Sequence, residues 1–371
     1  MKIVYLDNAA TTLAYNEVVK VMGVVMLENY GNPSSSHKLG EDAKEIMNAS
    51  RIILAREINA KTEEIIFTSG ATEASNMAIF GLAHANKNRK KIIISAIEHD
   101  ATYMPCMKLK EKGYEIVEVP VGSDGLIDIE RLEKEIDSNT LLVSIIHGHN
   151  ELGVVQDIFR IGQICKKKKI AFHVDAVQTF GKLKIDVHKM NISLLSASGH
   201  KIGASKGIGF LFVKEGVEIE PIFYGGGQEN ERRSGTENVP AIAGFAKALE
   251  IVKKADKEKI KNLRDYFIDK LQGLNGKING NLKERLYNNI SVSFSGKNAE
   301  MLVSYLSEKG IMCSTRSACS SKQKEENRIL KAIGLNENEI KGTIRFALNE
   351  FVTKKDVDFV LNEIEKGLVL C

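Results

Sequence analysis

With 52 basic against 48 acidic side chains in 371 residues, the chain carries a formal net charge of only +4, which excludes a general affinity for nucleic acid or other polyanions. A hydrophobic content of 43% supplies a large core and points to two domains. Five cysteines, Cys106, Cys165, Cys313, Cys319 and Cys371, are scattered without a CxxC pair, so neither a disulfide framework nor a metal site is indicated. The first residues enter strand-like sequence without the apolar core of a signal peptide, and no apolar run reaches membrane-spanning length. A cytoplasmic protein with no membrane partner is expected.

A short strand at residues 3–6 leads into the polar loop Asp7-Asn-Ala-Ala-Thr-Thr12 and a helix at about 16–28. After a turn at 31–37, helical periodicity resumes over 40–58. Residues 64–67 form a strand that feeds Thr68-Ser-Gly-Ala-Thr-Glu73 and a helix over 72–85. Such a strand, glycine turn and helix start present backbone donors and a helix dipole to an anion, and suit a phosphate, although a small-residue helix start alone is more often ordinary capping. Strand and helix then alternate: a strand at 92–96 ends in Glu98-His99, one at 115–119 follows a helix, and one at 141–146 ends in His147-Gly-His-Asn150-Glu. Alternation of this kind implies a mostly parallel sheet.

Two further apolar runs deliver polar groups from their ends. Residues 169–175 end in His173-Val-Asp175, with Gln178 just beyond, and residues 192–201 end in Ser198-Gly-His200-Lys201. A lone lysine in such a place more often snorkels to water. Here an acid and a lysine come from neighbouring strand ends, where ligands of α/β proteins bind, and that pairing suits pyridoxal phosphate: the lysine links to the cofactor and the carboxylate keeps its ring nitrogen protonated. A strand at 208–213 and the glycine-rich loop 224–236 follow. A long helical stretch from about 239 to 274 bridges to a smaller α+β part with strands at 290–294 and 343–348, helices at 299–309, 327–333 and 354–367, and the run 311–321.

Ten segments in order carry a resemblance over nearly the whole chain: Leu6-Asp-Asn-Ala-Ala-Thr-Thr12, Gly31-Asn-Pro-Ser, Thr68-Ser-Gly-Ala-Thr-Glu73, Glu98-His99, Asn150-Glu-Leu-Gly, His173-Val-Asp-Ala, Ser198-Gly-His-Lys201, Arg233-Ser-Gly-Thr236, Ser317-Ala-Cys-Ser320 and Ile344-Arg-Phe346. The sequence resembles the cysteine desulfurases of the NifS/IscS type, class V aminotransferases of PLP fold type I. That resemblance implies a large domain over 14–256 with a mostly parallel seven-stranded sheet, and a small domain from 1–13 and 257–371 that carries the catalytic cysteine loop.

It also implies roles. Lys201 would hold pyridoxal 5'-phosphate, Asp175 would pair with its ring nitrogen, His99 would stack on the ring and Gln178 would bind its phenolic oxygen. Ala71, Thr72, Ser198 and His200 would hold the phosphate, joined by Thr236 of a neighbouring subunit, which requires a homodimer. Asn150, beside the cofactor, and Arg345 would receive the substrate carboxylate; an arginine out of this context is more often a surface ion pair. Cys319, in a polar segment with basic neighbours that favour thiolate, would take sulfur from L-cysteine as a persulfide, release L-alanine and pass the sulfur to an acceptor, an iron–sulfur scaffold or a thiolation enzyme. Two departures from the pattern stand out: Ile202-Gly-Ala-Ser-Lys-Gly207 replaces the usual Gly-Pro-Lys-Gly turn, and Arg316 replaces a glycine. The alternatives are a selenocysteine lyase or other β-eliminating enzyme of the same fold, and a non-catalytic sulfur-relay or regulatory protein; joint presence of Lys201, Asp175, Cys319 and Arg345 argues against the latter.

Overall fold

The computed structural model describes residues 3–315 and 327–371. Twelve strands are present among them: β1 (Val4–Tyr5), β2 (Ile65–Thr68), β3 (Lys91–Ser95), β4 (Glu115–Val119), β5 (Thr140–Ile146), β6 (Ala171–Asp175), β7 (Leu194–Ser198), β8 (Gly209–Val213), β9 (Lys277–Ile278), β10 (Asn289–Ser293), β11 (Ile311–Met312) and β12 (Thr343–Ala347). Seven form one sheet in the order β2-β8-β7-β6-β5-β3-β4. Its core is parallel, as strand–helix alternation implied, and β8 is the exception: it runs antiparallel to both β2 and β7. The strands β2, β3, β5, β7 and β8 are buried along their length. Covered on both faces, they read as continuous apolar runs without alternation.

Most helix starts follow local chemistry. Asp157 caps the helix Ile158–Lys168 by accepting from the Arg160 amide, and Lys166 to Lys168 sit at its carbonyl end, where cations are favourable. The helical stretch expected over 239–274 is two helices, Val239–Val252 and Lys257–Gly273. Asp256 divides them, since its side chain accepts from the Lys259 amide and starts a new helix where the periodicity alone runs on. A short helix at Ile129–Glu135, capped by Asp128 in the same way, was not expected from the pattern.

A second core gathers the chain's two ends. Val4 and Leu6 pack with Phe267, Ile290, Val292, Phe346 and residues of the last helix, Lys354–Leu370. The strands β12, β10 and β9 make an antiparallel sheet there, and β1 pairs with β11. Asp7, just past β1, bridges Ala347 of β12. Thus the loop after β1 leaves the second core and runs across the ends of the large sheet. Between the two cores, Leu330, Ile333, Leu335 and Ile340 pack against Ile97, Ile146, Leu152 and Val154.

Candidate active site

Asp175 is the last residue of β6, so its position is set by the sheet register that pairs it with Ile146 of β5 and Ser196 of β7. Lys201 was expected at the end of a strand. It lies instead on the one-turn helix Gly199–Lys201, because β7 stops at Ser198 and Gly199 ties back to the Ile208 carbonyl. That turn swings the lysine over the strand ends.

A cavity of about 350 Å³ opens there, lined by Asp175, Gln178, His99 and Asn150 on one side and by Ser198, His200 and Lys201 on another. Its remaining wall is the turn Ser69–Thr72, so Ala71 and Thr72 also face it. The turn heads the helix Ala71–Ala85, and Gly70 at its start has a φ of +154° and no capping side chain. Its first amides therefore lack the usual capping oxygen and point at whatever anion the cavity receives. Glu73 does not compete for them. Although burial acts to raise its pKa, hydrogen bonds from Arg233 and Ser69 hold the carboxyl below the usual range, with Arg233 Nε donating at 2.7 Å and the Ser69 amide at 2.8 Å.

Lys201 and Gln178 share a partner that sequence reading did not give a role. The lysine amine donates to the carbonyls of Ala9 and Ala10 at 2.8 and 2.7 Å, and Gln178 Nε2 donates to the Ala9 carbonyl at 2.8 Å. His200 holds the same loop through Thr11 Oγ1 at 3.1 Å. The altered turn after Lys201 fits against this region: Gly203 has a φ of +87°, and a Cβ there would overlap the Tyr15 ring. Only glycine satisfies both demands.

Burial dominates the electrostatics. It pushes the Asp175 carboxyl up, while the charges of His99 and Lys201 and the Val177 amide pull it back. Burial pushes His99 down, and its Nδ1 accepts from the Ala101 amide at 3.1 Å, which leaves the proton of the neutral ring on Nε2. Glu98 beside it is driven up to about 8 by burial, with Oε1 accepting from Ser95 Oγ and the Ile146 amide. Lys182, fully enclosed and 3.5 Å from Gln178 Oε1, is pushed down to about 7 by burial and by the charge of Lys201. Neither Lys182 nor Arg328, which touches the His99 turn, was singled out in sequence; the burial of the first arises only from packing, and a charged run disguised the second.

Arg345 lies outside the cavity wall but beside it. The side chain is 2% exposed; Nη2 pairs with Asp7 Oδ1 at 2.6 Å, and Nη1 donates to the Asn150 carbonyl at 3.4 Å. Its Nε is buried without a hydrogen-bond partner. Thr236 is exposed, away from the cavity of its own chain. Cys319 and Arg316 lie outside the described residues. Cys106 and Cys165 are buried, and burial pushes both thiols up, Cys165 to about 12, which disfavours thiolate. Among the described residues, no His, Cys, Asp and Glu cluster is arranged to hold a metal ion, and no helix is long and apolar enough to cross a membrane.

A buried acid at a strand end, a lysine on the turn beyond the next strand and a helix N-terminus meet at one cavity, and the chain belongs to the class V aminotransferases: the Aminotransferase class-V model matches residues 4–360. The chain is 42% identical over 369 residues to cysteine desulfurase IscS of Methanosarcina thermophila, covering 98% of this chain and 91% of the relative. It is 41% identical to cysteine desulfurase IscS of Dictyoglomus turgidum, covering 98% and 94%. A solved structure described as a NifS-like protein superimposes with a TM-score of 0.94 at 37% identity over 100% of both chains. A third kind of relative is a solved structure of SspA in complex with cysteine, with a TM-score of 0.83 at 34% identity over 93% of this chain and 99% of that one. Within the class, the chain is a member of the NifS/IscS-type cysteine desulfurases.

Proposed function

We propose that the chain is a pyridoxal phosphate-dependent cysteine desulfurase acting on L-cysteine in the cavity bounded by Lys201, Asp175 and His99. The convergence of those three groups on one 350 Å³ space headed by the open turn at Gly70 carries the reading. The donors fit the cofactor. Ala71 and Thr72 amides, Ser198 and His200 suit its phosphate; Asp175, whose carboxylate form is disfavoured by burial, gains most from a protonated ring nitrogen against it. His99 offers a ring face, and Gln178 an amide to the phenolic oxygen. When bound, the cofactor supplies an electron sink that makes the substrate's Cα proton labile.

The chain's own residues do the rest. Lys201 would hold the cofactor through its amine, and the same amine, when free, would take the Cα proton. Arg345 and Asn150 orient the substrate carboxylate, the guanidinium through the buried Nε that lacks a protein partner. The Cys319 thiolate would attack the substrate sulfur; the Cβ–S bond breaks with its electron pair left on Cβ, which takes a proton, and Lys201 returns a proton to Cα. L-Alanine leaves and a persulfide remains on Cys319, a state that a further thiol can accept. Thr236 is exposed on a chain whose phosphate turn is also open, so a homodimer in which each subunit completes the other's phosphate site follows from this reading, as does a sulfur-acceptor protein.

The test is incubation with L-cysteine, with alanine assayed and added sulfur detected by intact mass. Wild type should form alanine and gain one sulfur on Cys319. Cys319→Ser should keep its visible absorbance and its cysteine-dependent spectral change while sulfide and alanine collapse. Undiminished alanine in that variant would replace this reading with elimination that needs no cysteine nucleophile.

A further inference from the structure

Arg328 joins the cluster packed between the two cores to the turn that carries His99. It opens the short helix Arg328–Ala332, whose Leu330 packs with Ile97 and Ile146. From there its Nη1 donates to the Ala96 carbonyl at 2.6 Å, its Nη2 donates to the Glu98 carbonyl, and its guanidinium lies 3.9 Å above the Tyr103 ring. The cation therefore holds the chain just before His99 by two charge-assisted bonds and the first turn of the following helix by a ring contact. The turn's other anchors include the Ala101 amide to His99 Nδ1, the Ser95 hydroxyl and the Ile146 amide to Glu98 Oε1, His149 Nε2 at the Ile97 carbonyl and the Ala96 amide to the Val119 carbonyl. Arg328 is the one among these ties that comes from farthest along the chain, 230 residues from Glu98, and the only one that brings a cation.

We propose that Arg328 is a positioning residue for His99, fixing the turn from Ala96 to Tyr103 so that the imidazole keeps its place at the cavity wall. The proposal rests on the cofactor reading above, in which His99 stacks on the bound ring. Charge adds to geometry. Burial is the largest influence on His99; Asp175 and Asp100 favour its charged form, and Lys201 and Arg328 oppose it. Loss of Arg328 removes one of the two opposing cations, so the His99 ring becomes more basic.

The experiment compares full-length wild type, Arg328→Met and Arg328→Lys by two readouts. The first is the NMR titration of the His99 ring in protein without added cofactor; the second is kcat and KM for L-cysteine against pH in protein loaded with pyridoxal phosphate. Arg328→Met should titrate His99 at higher pH. Its kcat should fall about tenfold through misplacement of one group, with KM little changed and the acidic limb of kcat moved to higher pH. Arg328→Lys keeps the charge but not the two-pronged fork, so it should restore the titration midpoint and only part of kcat. A wild-type His99 midpoint and wild-type kcat in Arg328→Met overturn the proposal, as does a fall in thermal stability with both unchanged. Should Arg328→Met not fold, a fully wild-type kcat in Arg328→Lys overturns it. If wild type gains no visible absorbance with the cofactor, the cofactor reading fails, and the NMR midpoint still decides whether Arg328 acts on His99.

Discussion

Arg345 and Asp7 form an ion pair at 2.6 Å in which the guanidinium side chain is 2% exposed and the carboxylate 16%. The pair ties β12 to the loop that carries Ala9 and Ala10, the two carbonyls that hold the Lys201 amine. One contact thus links β12 to the loop that holds the Lys201 amine.

Removing one partner of a buried pair strands the other charge at a cost of about 3–5 kcal/mol. Asp7→Asn keeps an acceptor, so its cost is expected at roughly 1–3 kcal/mol, read as a lower urea midpoint with an unchanged slope. Arg345→Lys, which loses the Nε donor while a single amine must serve Asp7 as well, should raise KM for L-cysteine by about tenfold and leave the visible absorbance of the loaded protein unaltered. A wild-type KM would remove Arg345 from substrate binding.

The buried amine of Lys182 gives a pH signature. Its folded pKa of about 7 lies below the ordinary lysine value, so the unfolded chain binds more protons between those two limits. Stability from this group is fully present above the ordinary value of 10.5 and is lost as pH falls from there to about 7. Lys182→Met removes that dependence. Its stability relative to wild type should be most favourable below pH ~7 and decline toward pH ~10, measured by thermal unfolding across that range. Parallel curves at every pH would mean that the amine keeps its ordinary pKa in the folded chain and is not desolvated there.

Glu98 has the opposite sense. With a folded pKa of about 8 against an ordinary 4.5, its contribution is full at low pH and is lost as pH rises from about 4.5 through about 8. Glu98→Gln should therefore gain on wild type as pH increases over that window. Any fixed cost of the amide at Oε2, which has no partner, displaces the whole curve and not its slope.

Glu229 anchors the glycine-rich loop. Its Oε2 accepts from Arg51 Nη1 and its Oε1 from Nη2, each at 2.7 Å, and Oε2 also accepts from the Phe67 amide of β2 at 2.9 Å. Glu229, Asn230 and Glu231 hold φ values of 51°, 56° and 64° in the left-handed region, a conformation that depends on such an anchor. Glu229→Ala should cost about 3–5 kcal/mol by urea unfolding and weaken subunit association in sedimentation, since Thr236 lies on the same loop. A dimer of undiminished affinity would separate the loop from the subunit contact.

Much of the fold was legible because its signals are local. Strands enclosed on both faces are continuous apolar runs, and the glycine at Gly70 and the acid at Asp175 stand next to the runs that place them. The residues of the cavity wall follow from that spacing, since a parallel sheet brings the ends of β5, β6 and β7 together once the strands exist. Local signals also misled: periodicity carried the expected helix past Asp256, whose side chain caps a new one, and the orientation of β8 depends on pairing that no short window contains.

Chain order and side-chain chemistry determined by themselves which groups stand at the strand ends. Tertiary structure alone decided what those groups touch: Asp7 meets Arg345 across 338 residues and Arg328 meets Glu98 across 230. A charged side chain looks the same in sequence whether it faces water or a buried partner. The difference lies in desolvation and in the partner that offsets it, and both arise only when distant segments pack.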